Sequence, residues 1–326
     1  MSSLSDNWES QGHRGGLHPS AALRQSMLWA SRRHTIKRAV SGAPLTRTLV
    51  RRFVPGEDVD SAVDAARSLA ARGLRCSLDH LGEDTRDVRT ASAAVAAYRS
   101  VIHSLSEARL TAFAEVSVKL SAMGQGIDEG MAFDNATAVC EAARAAGTTV
   151  TIDMEDHTTT DSTLTIVQRL RADFPETGAV IQASLRRSED DCHTLARAGS
   201  RVRLCKGAYQ EPVSVAWQSR NDVRSAFVRC LRVLVDGGAY PMVATHDPAL
   251  ISVCRRLFAG SAAHGGHEFQ MLYGIRPDEQ TRLVSQGETM RVYVPFGTQW
   301  YGYLMRRMAE RPANLGLVLR ALTSRG

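Results

Sequence analysis

The stretch that decides the fold runs from residue 148 to residue 206 and reads TTVTIDMEDHTTTDSTLTIVQRLRADFPETGAVIQASLRRSEDDCHTLARAGSRVRLCK. It contains three short, β-branched runs, at 148–154, 178–184 and 201–206, and each has the composition of a buried strand. Between them lie longer polar segments whose apolar residues recur at helical spacing. Gly199 stands just before the third run, where a helix C-cap favours glycine. Strand and helix therefore alternate, which is typical of a parallel sheet.

The same alternation extends over most of the chain. Strand-like runs stand at residues 74–80, 113–120, 148–154, 178–184, 201–206, 241–246, 268–272 and 289–294. We expect the intervening helices to begin near an aspartate, which is a favoured N-cap residue, at Asp58, Asp134, Asp161, Asp222 and Asp278. These eight units predict an α/β fold, a (β/α)8 TIM-type barrel over residues 46–326 with an N-terminal helical arm and a C-terminal helix. No G-x-G-x-x-G motif follows any of these runs, so a dinucleotide site of the Rossmann type is not expected.

Positive charge is concentrated at the start of the chain. The 326 residues carry a net charge of +6, but residues 1–52 alone hold nine basic residues against two acidic ones, so the remainder is close to neutral. A basic nucleic-acid-binding face on the folded domain is therefore not expected. Residues 1–45 are predicted to form a disordered tail followed by a basic helical arm.

The cysteines and the apolar runs indicate the compartment. The six cysteines form no CxxC pair and have no metal-like spacing, so they are expected to be buried, reduced thiols, and no metal site is predicted. No apolar run approaches the ~18 residues that a membrane span requires, and no signal-peptide core is present. These features predict a cytoplasmic protein.

Lysine is scarce, and its positions point to a functional site. Only three of the 40 basic residues are lysines, and two of them, Lys119 and Lys206, stand at predicted strand ends. Asp153, Gln182 and Arg203 lie at or near other strand ends, whereas the strand interiors elsewhere read as apolar. In a (β/α)8 barrel the active site forms at the carboxyl ends of the strands. A solvent-directed lysine is the alternative, but the combination of rarity and location favours function.

The segment after the last predicted strand carries a second cationic set. Tyr293 lies in that strand, and on a following helix Tyr303, Arg306, Arg307 and Glu310 would share one face because they are three or four residues apart. A pair of guanidinium groups held by a carboxylate suits bidentate capture of a small carboxylate or phosphate. A solvated Arg/Glu surface pair is the alternative for these residues taken alone.

These motifs together resemble the proline dehydrogenase family, and most closely its small monofunctional bacterial type. The matching segments follow the family's order over residues 113–314 and are 116–121, 153–155, 180–182, 203–209, 244–246, 272–274 and 303–310. The resemblance implies an FAD-bearing barrel that oxidises L-proline to Δ1-pyrroline-5-carboxylate, the first step of proline degradation to glutamate. It further implies electron transfer to a membrane quinone, with peripheral contact at the inner face of the membrane, and a separate pyrroline-5-carboxylate dehydrogenase downstream.

The resemblance also implies roles for individual residues. Lys119, Arg306 and Arg307 would hold the proline carboxylate, and Tyr293 and Tyr303 would pack around its ring. The residues expected to act at the reacting centre are Asp153, which would fix the substrate pocket, and Arg203, which would lie near flavin N5. The residues expected to complete the FAD site are Met154, Gln182, Lys206, Gly207, Ala208, Thr245 and His246, supported by Tyr209; Glu310 would support the arginines.

Two positions depart from the family's pattern. Asp247 stands where asparagine is frequent, which bears on contacts to the FAD ribose or adenine. Cys205 stands where valine is common, and a side chain of similar volume should change little there.

Two other functions remain open at the level of sequence. A Schiff-base lyase or aldolase-type barrel would use Lys119 or Lys206 as the nucleophile and the arginines to bind phosphate. A non-enzymatic protein would use the basic arm as a nucleic-acid or membrane tether on an inert barrel.

Overall fold

The structure, a computed structural model, describes residues 50–260 and 266–310, with side chains as far as residue 305. Residues Val50–Trp300 form one compact unit, which contains the whole sheet. The predicted tail and helical arm of residues 1–45 lie outside the described residues. So does the predicted boundary at residue 46.

The described strands confirm all eight predicted runs. They are β1 (Arg75–His80), β2 (Ala114–Val118), β3 (Val150–Ile152), β4 (Ala179–Gln182), β5 (Arg201–Cys205), β6 (Tyr240–Ala244), β7 (Glu268–Leu272) and β8 (Met290–Phe296). All their pairings are parallel, in the order β3-β2-β1-β8-β7-β6-β5-β4. A single parallel bridge between Thr151 and Gly178 joins β3 to the residue before β4, and it brings the ends of the sheet together. The expected (β/α)8 barrel is therefore confirmed.

Helices alternate with the strands around the barrel. They are α1 (Val59–Ala70), α2 (Val88–Glu107), α3 (Glu129–Ala146), α4 (Thr160–Asp173), α5 (Ser188–Arg197), α6 (Arg220–Asp236), α7 (Pro248–Ala259), α8 (Pro277–Ser285) and α9 (Trp300–Glu310), with a 3-10 turn at His157–Thr159. The helix α1 precedes β1 and packs against β1, β8 and α2. It thereby takes the position beside β8 that the helix following the last strand takes in a regular barrel.

The helix starts were predicted unevenly. Asp58 caps α1 through a hydrogen bond from the Ser61 backbone N–H, as expected. The expected start at Asp134 is wrong, because α3 begins a turn and a half earlier, where the Asp128 side chain accepts the Met131 N–H. An aspartate inside a helix can thus be mistaken for its cap when another aspartate precedes it.

The apolar core lies between the sheet and the helices. Outward-facing strand residues such as Leu78, Val116 and Val292 are fully buried against the helices. Five of the six cysteines are buried there and Cys205 is half-buried, and all six are free thiols. No helix among residues 50–260 and 266–310 is long and apolar enough to cross a membrane.

Candidate active site

The interior of the barrel is charged rather than apolar. Side chains from several strands meet there in two tiers, which we call the lower tier and the upper tier. The lower tier, near the strand starts, contains Glu115, Arg201, Glu268 and Arg291. The upper tier, toward the carboxyl ends, contains Asp79, Lys119, Asp153 and Arg203. Each tier holds two cations and two carboxylates, so the charges balance within it.

The lower tier is a network of buried ion pairs. Arg201 donates to Glu115 at 2.7 Å, and Arg291 donates to Glu268 at 2.7 and 3.1 Å. Burial alone would raise the pKa of Glu115, but Arg201, Arg291 and Arg203 together hold it well below its usual range. Glu115 and the two arginines therefore remain charged, which makes the lower tier an ionic support for the tier above it.

The upper tier fixes the protonation state of Lys119. Its ammonium group lies 2.6 and 2.8 Å from the two carboxylate oxygens of Asp79 and 4.0 Å from Asp153. Burial alone would lower the pKa of Lys119, but the attraction of Asp79 and Asp153 raises it above its usual value. A lysine that stays protonated cannot attack a carbonyl, so this geometry argues against Lys119 as a Schiff-base nucleophile.

Arg203 occupies the centre of the upper tier. Its Nη1 donates to Asp153 at 2.6 Å and to Ser117 at 2.8 Å, and its Nε donates to Gln270 at 2.6 Å. The guanidinium carbon lies 5.3 Å from the centre of the Tyr293 ring. Arg203 is therefore held on several sides and presents a positive charge that is pre-organised in a low-dielectric site.

Tyr293 connects the two cations of the upper tier. Its hydroxyl donates to Asp153 at 2.8 Å and accepts a weaker hydrogen bond from Lys119 at 3.4 Å. Burial, with the nearby charges of Asp153 and Asp79, raises the pKa of Tyr293 far above its usual value. The phenol therefore stays neutral and acts as a hydrogen-bonding and packing group.

The carboxyl ends of β4, β5 and β6 carry the residues predicted to bind the cofactor. Gln182 is buried and donates through Nε2 to the Glu155 carbonyl at 2.7 Å. Lys206 donates to Asp247 at 2.7 Å, and Arg224 shares the same carboxylate oxygen at 2.8 Å. One carboxylate thus holds two cations, and the excess positive charge suits an anionic cofactor.

Gly207, just after Lys206, stands where the backbone requires a glycine. Its φ of +105° lies in the region that favours glycine, and a Cβ there would lie 2.2 Å from the Ser184 hydroxyl and 3.4 Å from Gln182 Oε1. The chain therefore comes close to its neighbours just after Lys206, as it does where a backbone approaches a ligand. Together with the cationic donors, this geometry fits the FAD implied by the resemblance.

His246 has a defined tautomer. Its Nε2 accepts a hydrogen bond from the Leu272 backbone N–H at 3.0 Å, and its carbonyl accepts one from Arg276 at 2.7 Å. Since Nε2 is an acceptor, the proton of the neutral ring lies on Nδ1. The ring and its backbone are thereby both held beside Thr245, which is buried.

Four of the predicted site residues are in direct contact with one another in the structure. Lys119, Asp153, Arg203 and Tyr293 form one hydrogen-bonded network. Other predicted residues lie at or just beyond strand ends: Met154 (buried), Ala208 and Tyr209 (both exposed). Tyr303 is a buried residue of α9. The predicted carboxylate-binding pair Arg306 and Arg307 belongs to α9, but their side chains and that of Glu310 lie outside the described residues.

Sequence reasoning missed five of the eight charged residues in the two tiers, Arg201 among them. The expectation that strand interiors are apolar is wrong for Glu115, Glu268 and Arg291, all of which are buried and paired. Asp79 and Gln270 were also missed, although both touch residues of the upper tier. The usable signal was a polar residue at alternate positions of a β-branched run, since those positions face the barrel interior.

Known proteins match this chain along most of its length. A family model described as proline dehydrogenase matches residues 62–320. The chain is 36% identical over 301 residues to proline dehydrogenase 1 of Bacillus subtilis (strain 168), covering 92% of this chain and 99% of that protein. It is also 36% identical over 280 residues to a proline dehydrogenase of Deinococcus radiodurans, covering 84% of this chain and 90% of that protein.

Solved structures share the fold. Proline utilization A (PutA) from Bdellovibrio bacteriovorus, inactivated by N-propargylglycine, matches with a TM-score of 0.75 at 23% identity, over 86% of this chain and 34% of that chain. Bradyrhizobium japonicum PutA, in a D778Y variant, matches with a TM-score of 0.70 at 24% identity, over 86% of this chain and 32% of that chain. The extent of the family match and the identity to full-length relatives carry the conclusion: the chain belongs to the proline dehydrogenase family.

Proposed function

We propose that this chain oxidises L-proline to Δ1-pyrroline-5-carboxylate with FAD as its cofactor and a membrane quinone as the electron acceptor. Family membership supports the general activity, an enzyme that oxidises proline in proline catabolism. The observation that carries the more specific proposal is the upper tier, in which Arg203 is held rigidly beside Asp153, Lys119 and Tyr293. The site offers fixed positive charge at the carboxyl end of the barrel, where such an enzyme needs it.

The cofactor site we propose spans the ends of β4 to β6. When bound, FAD supplies the acceptor for a hydride that leaves C5 of proline. Arg203 would lie near flavin N5 and Lys206 near N1 and O2, where positive charge stabilises the reduced ring. Gln182 would bond the edge of the isoalloxazine, and Gly207 would allow the backbone to come close. The remaining contacts are proposed for Met154, Ala208, Thr245 and His246.

The substrate-binding residues we propose are those that the resemblance implies. Lys119 is protonated and has three N–H donors, so one of them can serve the proline carboxylate while Asp79 holds the group in place. Arg306 and Arg307 would hold the same carboxylate, which is the role that the resemblance implies for them. Tyr293 and Tyr303 would pack around the pyrrolidine ring.

Catalysis in this proposal is mainly positioning. Asp153 accepts hydrogen bonds from Arg203 and Tyr293, and Asp79 is occupied by Lys119, so neither carboxylate is available as a dedicated base. We therefore propose that proline binds with its amine already unprotonated and that no residue of the chain is alkylated. The rate enhancement then comes from holding C5 in a reactive geometry.

Electron transfer to a quinone places part of the cycle at a membrane surface, which is the peripheral contact expected from the sequence. Removing residues 1–45 separates this proposal from the tether hypothesis. We expect the truncated chain to retain flavin reduction by proline, because every residue assigned to the site lies beyond the arm. An inert barrel carrying a tether would show no flavin reduction before or after truncation.

The hydride step is tested by anaerobic stopped-flow spectroscopy with L-proline deuterated at C5. We expect deuterium to slow bleaching of the flavin and a soluble naphthoquinone to restore the oxidised spectrum. Equal rates with both substrates, in a reaction shown to be limited by the chemical step, would refute direct hydride transfer from C5. Failure of quinones to reoxidise the enzyme would refute the proposed acceptor.

A further inference from the structure

Gln270 links the two tiers of the barrel interior. It lies on β7, is 3% exposed, and belongs to neither ion-pair tier. Its Oε1 accepts the Nε hydrogen of Arg203 at 2.6 Å, and its Nε2 donates to Glu268 Oε1 at 2.6 Å. The side chain therefore forms a direct bridge between the lower and upper tiers.

The chemistry of its neighbours fixes which way the Gln270 amide points. The Arg203 guanidinium can only donate, so the atom facing it must be the amide oxygen. The Glu268 carboxylate can only accept, so the atom facing it must be the amide nitrogen. Glu268 is held in turn by Arg291 through two hydrogen bonds, and Arg291 donates to the Cys76 carbonyl at 3.0 Å. A continuous chain of contacts thus runs from the β1 backbone to Arg203.

The neutrality of Gln270 matters as much as its geometry. Two carboxylates lie near Arg203: Asp153, whose charge is shared with Lys119, and Glu115, which lies 3.7 Å away and is shared with the arginines of the lower tier. A carboxylate in place of Gln270 would hold Arg203 equally well but would cancel its remaining positive charge. A glutamine holds the guanidinium while leaving that charge effective in the direction of the barrel mouth.

From this geometry we infer that Gln270, anchored by Glu268, is a positioning residue that orients Arg203 and preserves its charge for the flavin. The inference rests on the proposed function, since it requires a flavin beside Arg203. Its consequence is that Gln270 raises the reduction potential of the flavin, because a positive charge near N5 stabilises the reduced state.

The charged and titratable groups that face Gln270 come from three strands. They are Arg203 on β5, Glu268 on β7 itself, and Arg291, the residue of β8 paired with Gln270. Glu115 of β2 lies 3.7 Å from each of these two arginines. The facing residues of β6 are Met242 and Ala244, which do not titrate. A carboxyl group introduced at position 270 would therefore be opposed by Glu268 and favoured by the two arginines, and its ionisation would remove the charge advantage of the glutamine.

The test measures the midpoint potential of the bound flavin, as a function of pH, in the wild type, Gln270→Glu and Gln270→Leu. We expect Gln270→Glu to lower the potential by about 30 mV at high pH, a tenfold change in the two-electron equilibrium. The difference should narrow as the pH falls, because a protonated carboxyl can donate to Glu268 and accept from Arg203 as the amide does. Gln270→Leu should lower the potential at every pH.

A matched control is Gln280→Leu. Gln280 is a buried glutamine of α8 that donates to the Leu272 and Ile275 carbonyls and does not touch Arg203. Its replacement should leave the potential unchanged. If Gln270→Leu fails to fold, Gln270→Glu alone carries the test.

The outcomes separate the inference from the proposed function. If the wild-type protein bound no flavin, or if proline did not bleach its flavin, the proposed function itself would be refuted. A wild type bleached by proline, with Gln270→Glu at the wild-type potential at every pH, would overturn the role of Gln270 alone. A difference that widened toward acid pH would also overturn it, because the new carboxyl is neutral there.

Discussion

The pairing of Lys119 with Asp79 gives a quantitative test of the upper tier. Lys119 lies 2.6 Å from one Asp79 oxygen and 2.8 Å from the other, and Asp79 is 1% exposed. Replacing either partner alone, in Asp79→Asn or Lys119→Met, leaves a buried charge without its counterion. We expect each single change to destabilise the protein and the double change to restore much of the loss.

The magnitude follows from the burial of the pair. Removing one partner of a buried ion pair costs about 3–5 kcal/mol, whereas replacing both by neutral groups of similar size is often close to neutral. The destabilisation by Asp79→Asn should fall at the lower end of this range, since Asp153 remains 4.0 Å from the ammonium group of Lys119. A loss of about 3 kcal/mol corresponds to a fall in Tm of roughly 4–6 °C for a chain of this length.

The assay is urea unfolding at neutral pH of the wild type, both single variants and the double variant. The pKa of Lys119 is raised in the folded state, so its contribution is complete below the unfolded-state value of about 10.4 and is lost as the pH rises through the folded-state value. The differences between variants should therefore shrink at strongly alkaline pH. Asp64→Asn, which breaks an exposed pair with Arg67, is the control and should change stability by less than about 1 kcal/mol.

Additivity of the two single changes would refute this account of the upper tier. A coupling free energy below about 0.5 kcal/mol would mean that the 2.6 Å contact stabilises neither charge. Lys119 would then have to be treated as an unpaired lysine, and the Schiff-base hypothesis would regain its support.

Three further variants test other parts of the structure. Glu115→Gln should lower the free energy of unfolding by about 3–5 kcal/mol at neutral pH. The pKa of Glu115 is lowered in the folded state, so this loss should shrink as the pH falls below about 4.3, and urea unfolding at several pH values measures it. Gly207→Ala should weaken FAD binding by about tenfold, because the added Cβ would lie 2.2 Å from a serine hydroxyl, and flavin titration of the apoprotein measures this. Gly147→Ala is the control for backbone strain, since an added Cβ there meets nothing within 4 Å. Arg306→Met should raise KM for proline by at least about tenfold with less effect on kcat, and unchanged proline kinetics would remove the carboxylate assignment.

Much of the fold could be predicted because it depends on local pattern. The β-branched runs located all eight strands, and the run at 201–206 differs from β5 by a single residue. Helix starts were harder to predict, because more than one aspartate can stand near the start of a helix and only one of them accepts the capping hydrogen bond. The error at Asp134 arose because Asp128 already satisfies the first turn of α3.

The site could be predicted only where a residue was conspicuous in the sequence. Lys119 and Lys206 were found because lysine is rare in this chain, and Arg203 because it lies near a strand end. Glu115 and Glu268 were missed because a single charge inside an apolar run does not reveal that another strand supplies its partner. Arg201 meets Glu115 over a sequence separation of 86 residues, and local pattern carries no record of such a contact.

Gln270 shows the same limit in a neutral residue. Nothing in the run at 268–272 marks its amide as the group that holds Arg203 at 2.6 Å. That role becomes visible only in the folded barrel, where the side chains of β5 and β7 meet in the interior.

The most direct test of the proposed function is an anaerobic absorbance spectrum of the purified protein before and after addition of L-proline. We expect a yellow protein with an oxidised flavin spectrum whose visible bands are bleached by L-proline. A colourless protein that binds no added FAD, or a flavin spectrum that L-proline leaves unchanged, would contradict it.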